Sequence, residues 1–427
     1  MKKIILLLVC FSLLNFAGLS AANDAKNKAK YEKKYRDPLL ESMRVDREKE
    51  QALLDEETAK IRKRQAEEKE KNKALKKDLW SDMAGIYPPP SPAACKPVFH
   101  FPPVAQYNTN TCWSFATTSY YESEIFRLSG KKIKLSEMWT VYFEYLAKVR
   151  RFVQERGDSL VAEGGESNAI NRIWKIHGIV PAAAYPGYVG NKEKLDQALL
   201  IDEISAFLDY VKNNDFWNEK DVLDHVAVIL NKHLGTPPAR FVYNGKEMTP
   251  QEFLKNETPL NMDDYVDVMS TSYYPFYTFQ EFAVPDNWWH STDYLNLPLD
   301  EWYGLIRKAI KAGYSIGIGG DVSEPGKVGF QDVSFIPSFD IPGSFINQDA
   351  REYRIDNETT TDDHGIHLVG YSHYKGHDWF LIKDSGRSAR WGRHEGYYFF
   401  RGDFVRLKML TFTVHKDIVK NILAKIK

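Results

Sequence analysis

Cys112 stands where a reactive cysteine could be built. It follows a polar, turn-prone run and opens an apolar pattern that predicts a helix over residues 112–128, closed by Gly130. The first N–H groups of a helix have no intrahelical partner and lie at the positive end of its dipole, so both favour the nucleophilic thiolate. A lone cysteine is more often an inert, buried side chain, and position alone leaves both interpretations open.

The residues around Cys112 favour the reactive interpretation. The stretches "QYNTNTCWSFA", "LSEM", "EGGES" and "IVPAAAYP" resemble the papain-like cysteine peptidases. In that family a glutamine side chain and the backbone N–H of the nucleophile form the oxyanion hole, and the resemblance implies these roles for Gln106 and Cys112. It also implies that Gly164 and Gly165 form a backbone edge that binds the substrate. A plain turn before a helix is the alternative for this glycine pair.

The resemblance places the catalytic base far along the chain, in "DDHGIHLVGY". In the family, Gly-Tyr or its equivalent follows the histidine by six positions, and counting back from Gly370 selects His364. His367 lies three residues further along the predicted strand and therefore faces the opposite side. We expect His367 to be an ordinary packed or surface histidine.

The third catalytic residue falls in "FLIKDSGRSARWG", where the family has Lys-Asn-Ser-Trp-Gly. Asp384 takes the position of the asparagine that orients the imidazole, and Gly386 takes the position of the tryptophan that shields their hydrogen bond. An aspartate can accept the same hydrogen bond, and its charge stabilises an imidazolium. The shield is lost unless Trp391 or Trp379 covers the site.

The sequence predicts no metal and no cofactor. Histidines three apart in a strand cannot both face one ion, and the remaining spacings match no zinc pattern supported by cysteine. The chain contains no serine nucleophile elbow, P-loop or dinucleotide-binding glycine motif. A net charge of −1 also argues against nucleic acid as a partner, because no broad basic field is present.

The predicted secondary structure changes from helices to strands along the chain. Helical patterns cover residues 112–128, 136–156, 166–177, 192–234 and 298–312. Period-two patterns typical of strands cover residues 314–322, 364–373, 378–385, 395–400 and 407–415. We therefore predict an α+β, papain-like fold of two lobes. A helical lobe presents Cys112, and a lobe built on an antiparallel sheet or barrel presents His364 and Asp384.

Composition divides the chain into four parts. Residues 1–22 read as a signal peptide, which predicts a secreted or periplasmic protein without a membrane span once the signal is removed; an uncleaved anchor is the alternative. Residues 23–84 are predicted to form a charged helical arm, which is either a prosegment or docking arm or a charged spacer. Residues 85–104 form a proline-rich connector, and residues 105–427 form the peptidase domain.

The length of the predicted domain indicates a branch of the family. His364 follows Cys112 by 252 residues, whereas the papain branch needs about 130–150. The extra residues fall in a helical insertion at about 190–300, as in the bleomycin hydrolase and aminopeptidase C branch. That resemblance implies a peptide substrate, a homo-oligomer, and a chain end that enters the cleft and restricts cleavage to N-terminal residues.

Two alternatives to an active peptidase stay open. The changes at Asp384 and Gly386 are compatible with a catalytically weakened homologue that serves as a peptide-binding or surface-interaction protein. Cys95 is the other cysteine that would remain after removal of the signal. A disulfide between it and Cys112 would give an oxidised, latent enzyme.

Overall fold

The computed structural model describes residues 27–190 and 194–426. The predicted signal peptide, residues 1–22, lies outside the described residues. The chain divides into two compact units, one ending at Asp78 and the other beginning at Leu79, and each is described by itself.

The first unit contains a single long helix in its described part, α1 (Pro38–Leu75). Its start has two signals, Pro38 at the first helical position and Asp37, whose side chain accepts from the N–H of Leu39. The sequence contains no glycine or proline between residues 39 and 75 to interrupt it. All residues of α1 are described, and none of them is buried. Local helix propensity and surface ion pairs must therefore stabilise this helix.

The second unit carries ten more helices and twelve strands within the described residues. The helices are α2 (Cys112–Ser129), α3 (Glu137–Gln154), α4 (Ser167–His177), α5 (Ala198–Asn213), α6 (Glu219–Leu234), α7 (Pro250–Glu257), α8 (Leu299–Lys311), α9 (Gln348–Asp356), α10 (Gly402–Lys408) and α11 (Lys416–Leu423). The strands are β1 (Phe241–Tyr243), β2 (Lys246–Met248), β3 (Tyr265–Met269), β4 (Thr278–Gln280), β5 (Tyr294–Asn296), β6 (Ile316–Gly320), β7 (Lys327–Val328), β8 (Val333–Ser334), β9 (His364–Tyr374), β10 (His377–Lys383), β11 (Tyr397–Arg401) and β12 (Met409–His415).

Ten of the strands form one sheet in the order β4-β5-β3-β12-β6-β9-β10-β11-β8-β7, while β1 and β2 form a separate hairpin. Neighbours in this sheet are antiparallel except for the parallel pairs β3–β5 and β8–β11. The strands β6, β9, β10, β11 and β12 lie where period-two patterning predicts strands. The predicted α+β, papain-like architecture is confirmed.

Two large groups of buried side chains correspond to the two lobes. One lies among α2–α7 and the other between the sheet and α8, α10 and α11. The helix α2 buries thirteen of its eighteen residues and packs against both α3 and β9. The helix α2 therefore lies between the helical lobe and the sheet, and Cys112 is its first residue.

The segment of residues 190–300 is less helical than expected. It contains α5, α6 and α7, but it also contributes β3, β4 and β5 to the edge of the main sheet. β3 is held by pairing with β12, whose Thr411 lies opposite Met269. Such distant pairing leaves little periodic signal in a short segment.

The two described cysteines are both free, so the disulfide considered above is not formed. Cys95 is 0% exposed and packs with Trp379 and Phe399 beneath the sheet. Burial raises the pKa of its thiol to about 12, which makes it the unreactive kind of cysteine. Among the helices of residues 27–190 and 194–426, none is long and apolar enough to span a membrane.

Candidate active site

Cys112 is the first residue of α2 and lines a cleft of about 330 Å³. Its side chain is partly exposed. The backbone N–H of Gly365, the second residue of β9, points at the sulfur with an N–Sγ distance of 3.5 Å. The cysteine thus lies where the helix start meets a strand of the sheet, as the sequence predicts.

His364 joins Cys112 to Asp384. Its Nε2 lies 2.9 Å from Asp384 Oδ1, and the side chain of Cys112 is close enough to act on its charge. Burial acts to lower the pKa of His364, but Asp384 and Cys112 outweigh it and raise that pKa to about 10. The arrangement therefore favours an imidazolium beside the sulfur at neutral pH.

Asp384 is held in the form that this role requires. Burial opposes its ionisation, but His364, Lys327 and the N–H of Gly386 hold the pKa of its carboxyl below the usual value. One oxygen, Oδ1, accepts both from His364 and from the N–H of Gly386, at 2.7 Å for the latter. The other oxygen, Oδ2, is buried and accepts from no donor in the described part of the chain.

Gly386 replaces the expected shield with backbone. A Cβ placed on it would lie 3.0 Å from Asp384 Oδ1 and 3.3 Å from the imidazole of His364, so the chain passes directly over their hydrogen bond. Asp384 is only 1% exposed. Neither tryptophan considered above is needed, since Trp379 is buried under the sheet and Trp391 stacks on Phe330.

Gln106 lines the same cleft as Cys112. Its Oε1 accepts from Ser385 Oγ at 2.7 Å, and its Nε2 donates to the carbonyl of Thr109 at 2.6 Å. A side-chain amide carries two N–H donors, so one remains for another acceptor. These two bonds orient the amide next to the start of α2.

Gly164 and Gly165 form one wall of the cleft. The Nζ of Lys148 donates to the carbonyls of Ala162, at 2.8 Å, and of Gly164. A Cβ on Gly165 would lie 2.8 Å from the ring of Trp113, and one on Gly164 would lie 2.1 Å from Asp286 Oδ2. Close approach by these neighbours is why both positions require glycine.

His367 lies on the other side of β9, as predicted. It is fully buried, and its Nδ1 lies 2.8 Å from Ser119 Oγ, which in turn accepts from Lys383 Nζ at 2.8 Å. Burial and the neighbouring Lys383 hold the pKa of His367 well below its usual value. This histidine is part of the packing between α2 and the sheet.

The sequence did not indicate the carboxylates of the cleft. Asp286 and Asp362 line it together with the catalytic candidates, and Glu166 lies behind Asp362. The doublet "DD" before His364 was the only available signal, since Asp286 follows β4 and comes from a distant segment. Within the described residues, no group of three or more His, Cys, Asp or Glu side chains is arranged to hold a metal ion.

The described end of the chain does not reach the cleft. The helix α11 packs against α8 and β12, and Ile418, Val419 and Ile422 are buried in the sheet lobe. The cleft lining includes none of the described residues after Gly365. The expectation that the chain end enters the cleft is therefore wrong for the residues up to 426 that the structure describes.

Three comparisons agree with the fold. Residues 100–426 match the model of the Peptidase C1-like family. Aminopeptidase C of Streptococcus thermophilus is 26% identical over 51% of this chain and 58% of its own length, and aminopeptidase C of Lactobacillus delbrueckii subsp. lactis is 24% identical over 52% and 58%. The matched part thus spans less than two thirds of these relatives.

A solved structure, PepW from Lactobacillus rhamnosis HN001, superposes with a TM-score of 0.60 at 18% identity. The superposition covers 82% of this chain and 89% of PepW. The resemblance to papain-like cysteine peptidases, in the branch of bleomycin hydrolase and aminopeptidase C, is confirmed. The chain belongs to the Peptidase C1-like family.

Proposed function

We propose that this protein is a cysteine peptidase that hydrolyses peptides from their amino terminus, with Cys112 as nucleophile, His364 as acid and base, and Asp384 as the residue that orients His364. The observation that carries the proposal is that Cys112 and His364 line one cleft, with His364 Nε2 2.9 Å from Asp384 Oδ1 behind it. Gln106 and the wall of Gly164 and Gly165 lie in the same cleft.

The reaction follows from these positions. The thiolate of Cys112 attacks the scissile carbonyl carbon, and the oxyanion accepts hydrogen bonds from the backbone N–H of Cys112 and the remaining N–H of Gln106 Nε2. The imidazolium of His364 gives its proton to the leaving amine as the C–N bond breaks, which leaves a thioester. Neutral His364 then removes a proton from water, which attacks the thioester and releases the acid and the thiolate.

The aminopeptidase part rests on the relatives, which are named aminopeptidase C. The described C-terminal residues pack in the sheet lobe, so recognition of a substrate's amino terminus must come from other groups in the cleft.

Alkylation by iodoacetamide tests the thiolate–imidazolium pair. We expect Cys112 to be labelled rapidly well below pH 7 and this reactivity to be lost in His364→Ala, because the imidazolium stabilises the thiolate. His373→Ala is the matched control, since His373 is 62% exposed on the side chain and lies at the far end of β9. Cys95, mapped in the same digest, reports any loss of folding.

Slow labelling of Cys112, like that of an ordinary free thiol, would contradict the ion pair and favour the weakened, peptide-binding homologue. Fluorogenic aminoacyl substrates with free and blocked amino termini then separate the two modes of cleavage. Turnover of blocked peptides alone would refute the aminopeptidase part of the proposal.

We also propose that the protein is exported, on the basis of the lysines, short apolar run and small residues within residues 1–22. N-terminal sequencing of the protein from its native host tests this directly. We expect the mature chain to begin near residue 23 and to be found outside the cytoplasm. A full-length chain recovered from the cytoplasm would contradict export.

A further inference from the structure

The candidate cleft is rich in carboxylates and lacks their usual partners. Four acidic residues line it, and no lysine or arginine does so among the described residues. The four are Glu163, Asp286, Asp362 and Asp363. None of them takes part in an ion pair within 4.0 Å across residues 27–190 and 194–426.

Two of the four carboxylates already accept hydrogen bonds. Glu163 accepts from Asn110 Nδ2 at 2.6 Å, and Asp363 accepts from the N–H of Val322 at 2.9 Å. Asp286 differs, because no described residue donates a hydrogen bond to it, and the ammonium of Lys148 acts on it only as a nearby charge. A cation entering the cleft would meet Asp286 as an acceptor with free capacity.

Asp362 is paired with another acid. Its carboxyl lies close enough to that of Glu166 for each to act on the pKa of the other, and Glu166 is only 4% exposed. Glu166 Oε2 accepts from Tyr294 Oη at 3.2 Å, whereas Oε1 receives no donor from the described part of the chain. A buried acceptor without a donor marks a place where a polar group is missing.

The electrostatics of the pair agree with that conclusion. Burial first, and then Asp362 and Asp286, raise the pKa of Glu166 well above its usual value. Burial, and then the charges of Asp286 and Asp363, raise the pKa of Asp362 to about 7, although Glu166 acts to lower it. His364 acts in the opposite direction on Asp362 but does not offset the shift. A cation bound beside these two buried acids would lose part of its hydration shell. Electrostatic attraction is stronger in such an environment than in water.

We propose that Asp286 and Asp362, with Glu166 behind them, bind an ammonium group of the substrate and thereby select which peptides the cleft accepts. The position fits this role, because Asp286 lies directly over Gly164, on the wall that would bind the substrate backbone. The inference deepens the proposed function. The ammonium can come from the free amino terminus or from a lysine side chain of the substrate, and the experiment distinguishes the two.

Protection of Cys112 from iodoacetamide measures this binding without requiring turnover. Three small amides serve as probes at about pH 6.5, where primary amines are protonated: alaninamide with an α-ammonium, N-acetyl-alaninamide with no charge, and N-acetyl-lysinamide with a side-chain ammonium. We expect alaninamide to protect Cys112 at a concentration at least about tenfold lower than N-acetyl-alaninamide. Preferential protection by N-acetyl-lysinamide would assign the ammonium to a substrate side chain.

Asp286→Asn removes a carboxylate, and Asp362→Asn removes a carboxyl that an ammonium group would help to ionise, both at nearly constant shape. We expect each to reduce the preference for a cationic probe to less than about twofold. Asp300→Asn is the matched control, since Asp300 lies at the start of α8 and is 87% exposed; its preference should equal that of the parent protein. Asp286 accepts no hydrogen bond from a described residue, so its variant should fold even if Asp362→Asn does not.

Equal protection by charged and neutral probes, or a preference that survives in Asp286→Asn, would overturn the inference. The proposed function fails in a different way, through slow labelling of Cys112 that does not depend on His364. Because protection can be measured at any labelling rate, the two failures are distinguishable.

Discussion

At the scale of single residues, the pair of Asp384 and Gly386 is where this chain departs from its family. The structure explains how the departure is tolerated. Asp384 keeps the hydrogen bond to His364 and adds a negative charge, and the backbone of Gly386 covers the bond that a tryptophan side chain would otherwise cover. The cost is one buried carboxylate oxygen without a donor.

Asp384→Asn restores the residue of the family and should shift the pH dependence of catalysis. The charge of Asp384 raises the pKa of His364 to about 10; without it the pKa falls, so the imidazolium is lost at a lower pH. We expect the alkaline limb of kcat/KM to move to lower pH, while activity near neutrality changes less. Asp349→Asn, exposed near the start of α9, should leave the profile unchanged; an unmoved limb in Asp384→Asn would refute the electrostatic role.

Ser119→Ala tests the buried contact behind the site. Ser119 Oγ accepts from the ammonium of Lys383 and lies within hydrogen-bond distance of His367. Its removal leaves a buried cation without that acceptor, so we expect a loss of about 1–3 kcal/mol in the free energy of unfolding. Urea denaturation measures it. Ser129→Ala, at the partly exposed end of α2, should cost about 0.5 kcal/mol or less.

At the scale of elements, the site depends on how closely α2 approaches β9. Cys112 begins the helix and His364 begins the strand, so the spacing of these two elements sets the distance between nucleophile and base. A Cβ on Gly365 would lie 2.9 Å from Trp113 Cα, which is backbone and cannot rotate away. Glycine at this position is therefore a requirement of the contact between lobes.

Gly365→Ala should separate helix from strand. We expect a loss of about 1–3 kcal/mol in stability from overpacking, together with a larger loss of kcat than of substrate binding. Thermal unfolding and steady-state kinetics measure the two effects. Gly304→Ala is the control, because Gly304 lies within α8 with open space around it, and alanine there should stabilise the helix by about 0.5–1 kcal/mol. Full activity in Gly365→Ala would mean that the contact does not limit the site.

At the scale of the whole molecule, the two units differ in what holds them together. The second unit has large groups of buried side chains, whereas α1, described over its full length, buries none of its residues. A helix of this kind contributes little to the stability of a peptidase domain. The question left open by the sequence is whether residues 23–84 act as a prosegment or as a spacer.

Deletion of residues 1–78 decides between these functions. We expect the shortened protein, beginning at Leu79, to keep the melting temperature and the kcat/KM of the longer protein on small aminoacyl substrates, because none of the described residues 27–78 is buried. This result would favour a spacer. A clear gain in activity on deletion would instead identify residues 23–78 as an inhibitory prosegment.

Features that depend on local pattern could be predicted from the amino-acid sequence. Cys112 at a helix start, His364 selected by its distance from Gly370, and strands such as β9 and β10 could all be predicted, because periodicity and capping are local signals. Features that depend on contacts between distant segments became visible only in the folded chain. It brought together Glu166, Asp286 and Asp362, replaced a side-chain shield by the backbone of Gly386, paired β3 with β12, and packed α11 away from the cleft. Contacts between residues far apart in the chain leave no local period, so only the folded molecule could show which groups surround the reactive cysteine.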